Sequence, residues 1–542
     1  MKVTFVAIGA EQLAISLLAG IAKREGHDVS LAYSASLFHD RWNLEIPFLG
    51  RLFDDSYKID NKIEKVQPDV LVFSALTATY QWSLSIARKA KEKYPNIKTI
   101  FGGVHISAVP ERTIRKPAVD FAVVGEGDVA FIDILNAILD KNFDEKPINN
   151  TLFLSKEGKI IRGLQKGFNQ ELDELPFFDK SLWEDHIRIE DKYMTMASRG
   201  CPYKCSFCFN NFFAKLPEEK SGKYVRIRSV DHMIAELLWA KKRYKKLSLI
   251  DFQDDVFTTD KKWLKLFLER YKQEINIPFQ CLTHPKYMDE EITRWLSDAG
   301  CVWIQMGVQS MDDEFKRKHL QRYERSDNIE EACRLMKQFG IKAKLDHMFG
   351  LPDEPISAQE KALNLYKKHP PSRIQTFWTC YLPGTDMLRE GIESGQVTAE
   401  EAERLYEGMD FFFYRNDDNI KNPKMVKIYK NYELIFKILP ILPKKLRSSI
   451  NQNSINFIPT ILANFFIFFT DIFTGFYQGN PDFGAYAKHY IFHMKNSIYY
   501  KLFRISRKAT VPKNNITPEE AYNEVYASKV AFPPIGQRTA IV

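Results

Sequence analysis

Over the first 142 residues, short apolar runs rich in β-branched side chains alternate with stretches of helical spacing, the pattern of a parallel sheet with helices on its faces. Lys2 to Ile8 reads as a strand and leads through Gly9 into a helix predicted from Glu11 to Glu25. Further strands are predicted from Val29 to Tyr33, Val70 to Phe73, Lys98 to Phe101 and Phe121 to Val124. Each ends in small or polar residues. The carboxyl edge of the sheet is thereby lined by loops that let a ligand approach the backbone, and open α/β sheets bind along that edge. The pattern predicts a doubly wound, Rossmann-like α/β domain over residues 1–142.

From 143 to 190 the alternation weakens into a hairpin-like pair, Thr151 to Leu154 and Lys159 to Arg162, followed by Leu175-Pro-Phe-Phe-Asp179. This stretch is expected to be a connector. Alternation resumes at Tyr193, with six strands predicted at Tyr193–Met196, Leu247–Phe252, Phe279–Leu282, Val302–Val308, Lys342–Met348 and Gln375–Tyr381. Helices between them make a partial (β/α)6 TIM-like barrel over 191–385, whose chemistry is expected at the carboxyl ends of its strands. A mainly helical domain is predicted over 386–542, closing the site.

The chain has 542 residues, 45% hydrophobic and 27% charged, which excludes a mostly disordered or fibrous protein. Its seven cysteines, with no secretory leader pattern, fit a reducing cytosol and point to ligands or nucleophiles rather than a disulfide framework. The net charge of +8 is local. Between Lys444 and Lys508 stand nine Lys/Arg and two acids, Asp471 and Asp482. That concentration argues against a nucleic-acid surface spread over the chain.

Three of the seven cysteines, Cys201, Cys205 and Cys208, fall in the stretch Ser-Arg-Gly-Cys-Pro-Tyr-Lys-Cys-Ser-Phe-Cys just after the first barrel strand. Three thiolates in a glycine-led loop converge on a soft metal centre and leave one coordination position open. A zinc knuckle needs a fourth Cys or His, and none lies nearby.

The spacing Cys201-x3-Cys205-x2-Cys208, with Phe207 before the last cysteine, resembles the cluster loop of the radical S-adenosylmethionine superfamily. The resemblance implies a [4Fe-4S] cluster held by these cysteines, with S-adenosylmethionine on the fourth iron and cleaved to a 5'-deoxyadenosyl radical. Asp254-Asp255-x-Phe257, Gly307-Val-Gln309-Ser310, Phe349-Gly-Leu-Pro352-x-Glu354 and Leu382-Pro-Gly-Thr385 resemble family segments at later strand ends. By that resemblance Asp254 or Asp255 approaches the amino end of S-adenosylmethionine, Gln309 or Ser310 its ribose or carboxylate, and the backbone at Phe207 its adenine. Relatives often carry glutamate at position 309, and a neutral amide supplies no charge there.

With the barrel so identified, the first domain resembles the cobalamin (B12)-binding domain of one radical subclass. Ser74-x-Leu76 and Gly102-Gly103 stand where that family threads the cobalamin tail, and Gly125-Glu126 where its fifth loop runs. The resemblance makes these six residues cobalamin-binding. The Asp-x-His-x-x-Gly motif of other cobalamin proteins is replaced by Ile8-Gly9-Ala10-Glu11-Gln12, so no histidine reaches cobalt from there; His105 is a second candidate.

Residues Ile455 to Tyr477 are long enough to cross a bilayer on length alone, but Asp471, Pro459 and Asn464 interrupt them and argue against spanning. Two readings stay open. One is a membrane-surface helix flanked by Lys444-Lys445-x-Arg447 and Lys501-x-x-Arg504-x-x-Arg507-Lys508; the other is a helix covering the barrel.

The resemblance implies methylation of an unactivated carbon on a hydrophobic or natural-product-like small molecule, with flavodoxin or ferredoxin as reductant. The alternatives are a non-methylating radical reaction on a tetrapyrrole or lipid, and a non-catalytic sensor. Location is expected in the cytoplasm, with membrane contact at the inner face.

Overall fold

The computed structural model describes residues 1–40, 44–140, 146–218, 222–409, 422–456, 460–503 and 507–518. Its first sheet holds β1 (Lys2–Ile8), β2 (Asp28–Ser34), β3 (Val70–Ser74), β4 (Lys98–Gly102), β5 (Phe121–Val123), β6 (Thr151–Leu154) and β7 (Ile160–Arg162), in the order β2-β1-β3-β4-β5-β6-β7. The first five strands run parallel. Helices cover both faces, so their strands read as nearly unbroken apolar runs, with Val3, Phe5, Leu71 and Phe101 fully buried. The chain direction across the sheet reverses between β1 and β3, which opens a crevice at their carboxyl ends.

The 143–190 stretch does more than connect. Strands β6 and β7 add an antiparallel hairpin to the edge of the first sheet, β6 pairing with β5 from Thr151 to Phe153. The reason is physical: a free edge after β5 would leave a row of unpaired amides and carbonyls. Farther along, the buried Lys180 ammonium pairs with the buried Glu11 carboxylate and lies 5.0 Å over the Tyr193 ring. Trp183 donates to the Ser16 hydroxyl at 2.9 Å. These contacts fasten the stretch to the helix Leu13–Arg24.

The second sheet comprises β8 (Tyr193–Thr195), β9 (Ile250–Phe252), β10 (Phe279–Thr283), β11 (Cys301–Gln309), β12 (Lys342–Phe349) and β13 (Arg373–Trp378), all parallel and in chain order. Its outer helices start where short polar side chains satisfy their first amides. Ser229 accepts from the His232 amide at 3.1 Å and Asp289 from the Ile292 amide at 2.7 Å.

The lumen of this partial barrel is polar at its amino end. Asp482, at the start of the helix Pro481–Phe503, takes Lys192 and Lys344 at 2.9 Å each and Gln280 at 3.1 Å, and Lys192 also meets Asp251 at 3.0 Å. The same helix then packs on the first domain, where the Tyr490 hydroxyl accepts from the Phe38 amide and the His493 Nε2 donates to the His186 carbonyl at 2.9 Å.

The C-terminal region therefore closes the lower mouth of the barrel rather than only the end that carries the cysteines. Its first two helices, Asp386–Glu393 and Ala399–Tyr406, do bridge the domains, with Arg112 donating to Glu403 at 2.7 and 2.8 Å. The helix Pro423–Ile438 lies outside β13, its Glu433 accepting from Thr376 at 2.8 Å and from Trp378 at 3.1 Å. No helix among the described residues is long and apolar enough to cross a membrane.

Lys180→Ala leaves the Glu11 carboxylate buried without its cation. We expect it to lower the unfolding free energy by about 3–5 kcal/mol, read as a lower midpoint in urea.

Candidate active site

The loop that bears the cysteines leaves β8 through a two-residue strand, Ser198–Arg199, paired with Arg226–Ile227. Asp254, directly after β9, dictates that path. Its buried carboxylate accepts from the Ala197 amide at 3.1 Å and from the Ser198 amide at 2.5 Å, and from the Ser198 hydroxyl. Burial pushes its pKa up to about 6 against those hydrogen bonds. Asp254 is thus occupied by the turn, which corrects the expectation that it reaches toward a ligand. Asp255 instead opens to solvent beside the cysteines; desolvation by the walls of the site raises its carboxyl while the Asn210 amide opposes the rise.

Gly200 has φ +84°, and a Cβ there would lie 2.4 Å from the Tyr224 carbonyl oxygen, so only glycine lets the loop pass. Beyond it, the Cys208 amide donates to the Cys205 carbonyl at 3.1 Å. Burial, with the Asp255 carboxylate and the neighbouring thiols, pushes Cys201 up to about 12 and Cys208 up to about 11. Burial also raises Cys205, against the pull of the Arg322 guanidinium. Bare thiolates are disfavoured in such a place, and a bound cationic centre is what draws the protons off. Among the described residues no three Cys, His, Asp or Glu side chains converge tightly enough to share one ion. A zinc knuckle takes four ligands, whereas a four-iron cube takes one thiolate at each of three corners, so the donor set of Cys201, Cys205 and Cys208 suits the cube.

Several neighbours of the triangle were not legible in the sequence. Arg322 stands 117 positions from Cys205, yet its Nη1 lies 4.0 Å from the Cys205 Sγ. The same guanidinium donates to the Gly307 carbonyl at 2.9 Å and to Glu324 at 2.7 Å. Burial alone would raise Glu324, but His284 and Arg322 hold it down at about 2. His284 in turn stacks on Tyr203 of the cysteine loop, ring centres 3.8 Å apart. On the other side the Asn210 amide nitrogen is 3.9 Å from the Cys208 Sγ, and the Tyr224 hydroxyl donates to the Asn210 oxygen at 2.5 Å. Local spacing does not mark Arg322, Glu324 and His284, because the segments after β10 and β11 bring them in, and nothing in the motif singles out Tyr203 or Asn210 within the cysteine loop.

Phe207 packs with Phe315, Leu320, Leu351 and Met387 in a small core beside the loop. Gln309 ends β11 with φ +60°, where the register against β12 slips, and its amide crowds Gly307 so closely that a Cβ there would meet it at 2.7 Å. Ser310 is fully buried and holds Glu354 and the Asp312 amide. The pair expected to face a ligand is therefore split: Gln309 stays half-exposed, and Ser310 is turned into its own loop.

In the first domain, Ser74 ends β3 in register with Gly102 and is followed by the half-buried Leu76. A Cβ on Gly102 would meet only the Val123 side chain, at 3.8 Å, and one on Gly9 would meet nothing, so the β1/β3 crevice is open beside them. This fits a group that slides along the backbone there. Gly103 differs: with φ +102° and Ala75 backbone oxygen 2.6 Å from a would-be Cβ, it is glycine for the sake of the chain itself. Gly125 likewise faces Gln165 at 3.2 Å and Leu216 at 3.6 Å.

Glu126 is also otherwise engaged, accepting from Arg226 at 2.7 and 2.9 Å and from the Asn169 amide at 3.1 Å. His105 is fully buried, bonded through Nδ1 to the Thr77 hydroxyl at 3.1 Å and packed 4.3 Å from the Tyr80 ring. Burial lowers its pKa to about 4. It is a neutral histidine of the short helix Val104–Ala108, turned into the domain, which removes it as a metal ligand at this edge.

Behind the barrel mouth, Glu354 accepts from Gln359 at 2.8 Å, and Gln359 meets His347 at 2.7 Å. Burial pushes Glu354 up to about 8 from its ordinary 4.5. The unfolded chain gives up that proton first, so this contribution to stability is present below about pH 4.5 and is lost as pH rises through about 8. Glu354→Gln removes the titration. Urea unfolding between about pH 5 and about pH 9 is expected to show the variant gaining stability relative to wild type as pH rises.

Residues 196–366 match the radical SAM superfamily and residues 13–135 the B12 binding domain. An uncharacterised methyltransferase of Pyrococcus horikoshii is 28% identical over 385 residues, covering 68% of this chain and 79% of the relative. The anaerobic magnesium-protoporphyrin IX monomethyl ester cyclase of Rubrivivax gelatinosus is 22% identical, covering 66% of this chain and 65% of the relative. The solved structure of the cobalamin-dependent S-adenosylmethionine radical enzyme OxsB, with aqua-cobalamin and S-adenosylmethionine bound, superimposes with a TM-score of 0.62 at 14% identity, over 97% of this chain and 83% of that one. With both domains matched in this order and the two sheets built as that fold requires, the chain belongs to the radical SAM enzymes that carry a B12-binding domain ahead of the radical SAM domain, and its cofactors are a [4Fe-4S] cluster, S-adenosylmethionine and cobalamin.

Proposed function

We propose that this enzyme transfers a methyl group to an unactivated carbon of a hydrophobic, natural-product-like small molecule. The observation that supports it is the meeting of the two carboxyl edges: Asp128 after β5 pairs with Arg199 ahead of the cysteines at 2.5 Å, and a Cβ placed on Gly384 beyond β13 would lie only 3.1 Å from both Ala108 and Phe212. A substrate between these edges faces both cofactor sites at once. When bound, the cluster and S-adenosylmethionine supply a carbon-centred radical and cobalamin a carrier for the methyl group.

The chain's own part is placement. Cys201, Cys205 and Cys208 hold three cluster corners, and Arg322 puts a cation beside Cys205. Asp255 and Gln309 are the polar groups left facing S-adenosylmethionine, for its ammonium and a hydroxyl respectively. Ser74, Leu76 and Gly102 line the crevice for cobalamin. Phe212 stands against Gly384 and Leu216 against Gly125, apolar side chains placed to keep water from a radical reaction between the edges. A one-electron donor such as flavodoxin or ferredoxin supplies the reductant.

Reduced, anaerobic protein given S-adenosylmethionine is expected to release 5'-deoxyadenosine together with S-adenosylhomocysteine. The first product without the second would replace methylation by a ring-forming or rearranging reaction, the direction in which similarity to the ester cyclase points. Release of neither would remove the catalytic reading.

We further propose contact with the inner surface of a membrane through the helix Thr460–Tyr477. Phe466, Phe469, Phe473, Phe476 and Tyr477 are 44–68% exposed, a stripe of rings far more apolar than water-facing helices carry. Lys444 and Lys445 flank it beside the exposed Leu446, as anionic headgroups favour. Phe457 to Pro459, Arg504 and the side chains of Asn464, Asp471 and Lys501, which the sequence reading included, lie outside the described residues. Sedimentation with anionic liposomes is expected to pellet the protein, and Phe469→Ser with Phe473→Ser to return it to the supernatant. Wild type that stays in the supernatant overturns this contact.

A further inference from the structure

Two arginines join the edge of the first domain to the cysteine loop. Arg199, two residues before Cys201, reaches Asp128 through both terminal nitrogens, at 2.5 and 3.2 Å, and lies 3.4 Å from Glu126. Arg226, its partner across the two-residue ribbon, grips Glu126 with both nitrogens and also donates to the Asn169 carbonyl at 2.8 Å. Both pairs are forked and largely out of water, the geometry in which a carboxylate fixes a guanidinium in direction as well as in distance. Burial alone would raise Glu126; Arg199 and Arg226 together hold it below the usual carboxylate range.

The grip continues to the sulfur. Arg226 donates from Nε to the Tyr224 carbonyl at 3.0 Å, the Tyr224 hydroxyl donates to Asn210, and the Asn210 amide approaches the Cys208 Sγ. Gly200 lies flat against the same Tyr224 carbonyl. Thus a carboxylate pair on the β5 loop and Cys208 are linked by an unbroken series of directional contacts.

We infer that Asp128 and Glu126, with Arg199 and Arg226, are positioning residues that set the separation between the cobalamin edge and the iron–sulfur cluster. The inference rests on the reading under Proposed function, since only a reaction that uses both cofactors on one substrate requires that separation to be held. A chain of this kind gives rigidity without occupying the space between the edges.

The test uses the anaerobic holoprotein and two measurements. In the first, the electron-spin relaxation of bound cobalt(II) is compared with the cluster oxidised and reduced, because a paramagnetic neighbour speeds relaxation steeply with proximity. Wild type is expected to relax faster when the cluster is reduced. Asp128→Asn with Glu126→Gln is expected to lose at least about half of that enhancement at unchanged iron per chain, and Asp128→Glu to keep most of it. In the second, amide hydrogen exchange over residues 199–210 is expected to quicken roughly tenfold in the double variant.

Unchanged relaxation and unchanged exchange in the double variant overturn the inference, as does quickened exchange with the relaxation enhancement intact. Should the double variant fail to hold iron, Asp128→Asn alone is read by the same criteria. Wild-type protein that binds no cobalamin would sink the reading under Proposed function, and exchange over 199–210 would still decide whether the pairs hold the loop.

Discussion

Three thiols must sit together where water is scarce, and that arrangement opposes their ionisation. Every nearby element answers to this constraint. The loop cannot stabilise three thiolates by itself, since burial raises all of them. The fold instead surrounds the loop with fixed supports: Asp254 beneath its entry, Arg322 beside Cys205, Asn210 beside Cys208 and the Tyr203–His284 stack at its turn. Asp254 and His284 follow barrel strands, where backbone position is set by a hydrogen-bonded ladder rather than by a mobile loop, and Arg322 is held by Gly307 and Glu324.

Charge within the barrel is balanced along its length. At the amino end Asp482 answers two lysines, and toward the other end Glu324 answers Arg322 and His284. A lumen of this kind is costly unless each ion has its partner. The C-terminal helix therefore belongs to the barrel although it follows the last barrel strand by about a hundred residues; its first turn supplies the missing carboxylate, and its middle rests on the edge of the first sheet. The two domains are tied at both ends, below by this helix and above by the arginine–carboxylate pairs.

The first domain shows how one residue type serves unlike ends. Gly102 leaves open space at the crevice, Gly9 leaves space but also takes a φ of +73° that side chains rarely adopt, and Gly103 is glycine because the Ala75 backbone crowds it. A run of glycines in a sequence does not reveal which is which. The same ambiguity covers carboxylates: of Asp254 and Asp255, adjacent in the chain, one is enclosed by backbone amides and the other is left to the cavity.

What the amino-acid sequence determined by itself was whatever depends on local order: strands and helices through their periodicity, the parallel strands of two sheets through their alternation, and the place of the candidate site through a spacing of three cysteines that no other arrangement in the chain imitates. Tertiary structure decided what depends on partners distant in the chain. It made the 151–162 hairpin a sheet edge because β5 needed covering, turned Ser310 and His105 inward, took Glu126 for an arginine 100 residues away, and brought Arg322 to Cys205 across 117. Those choices follow from which buried charge or unpaired backbone group must find a partner, and such a need arises only once the chain has closed on itself.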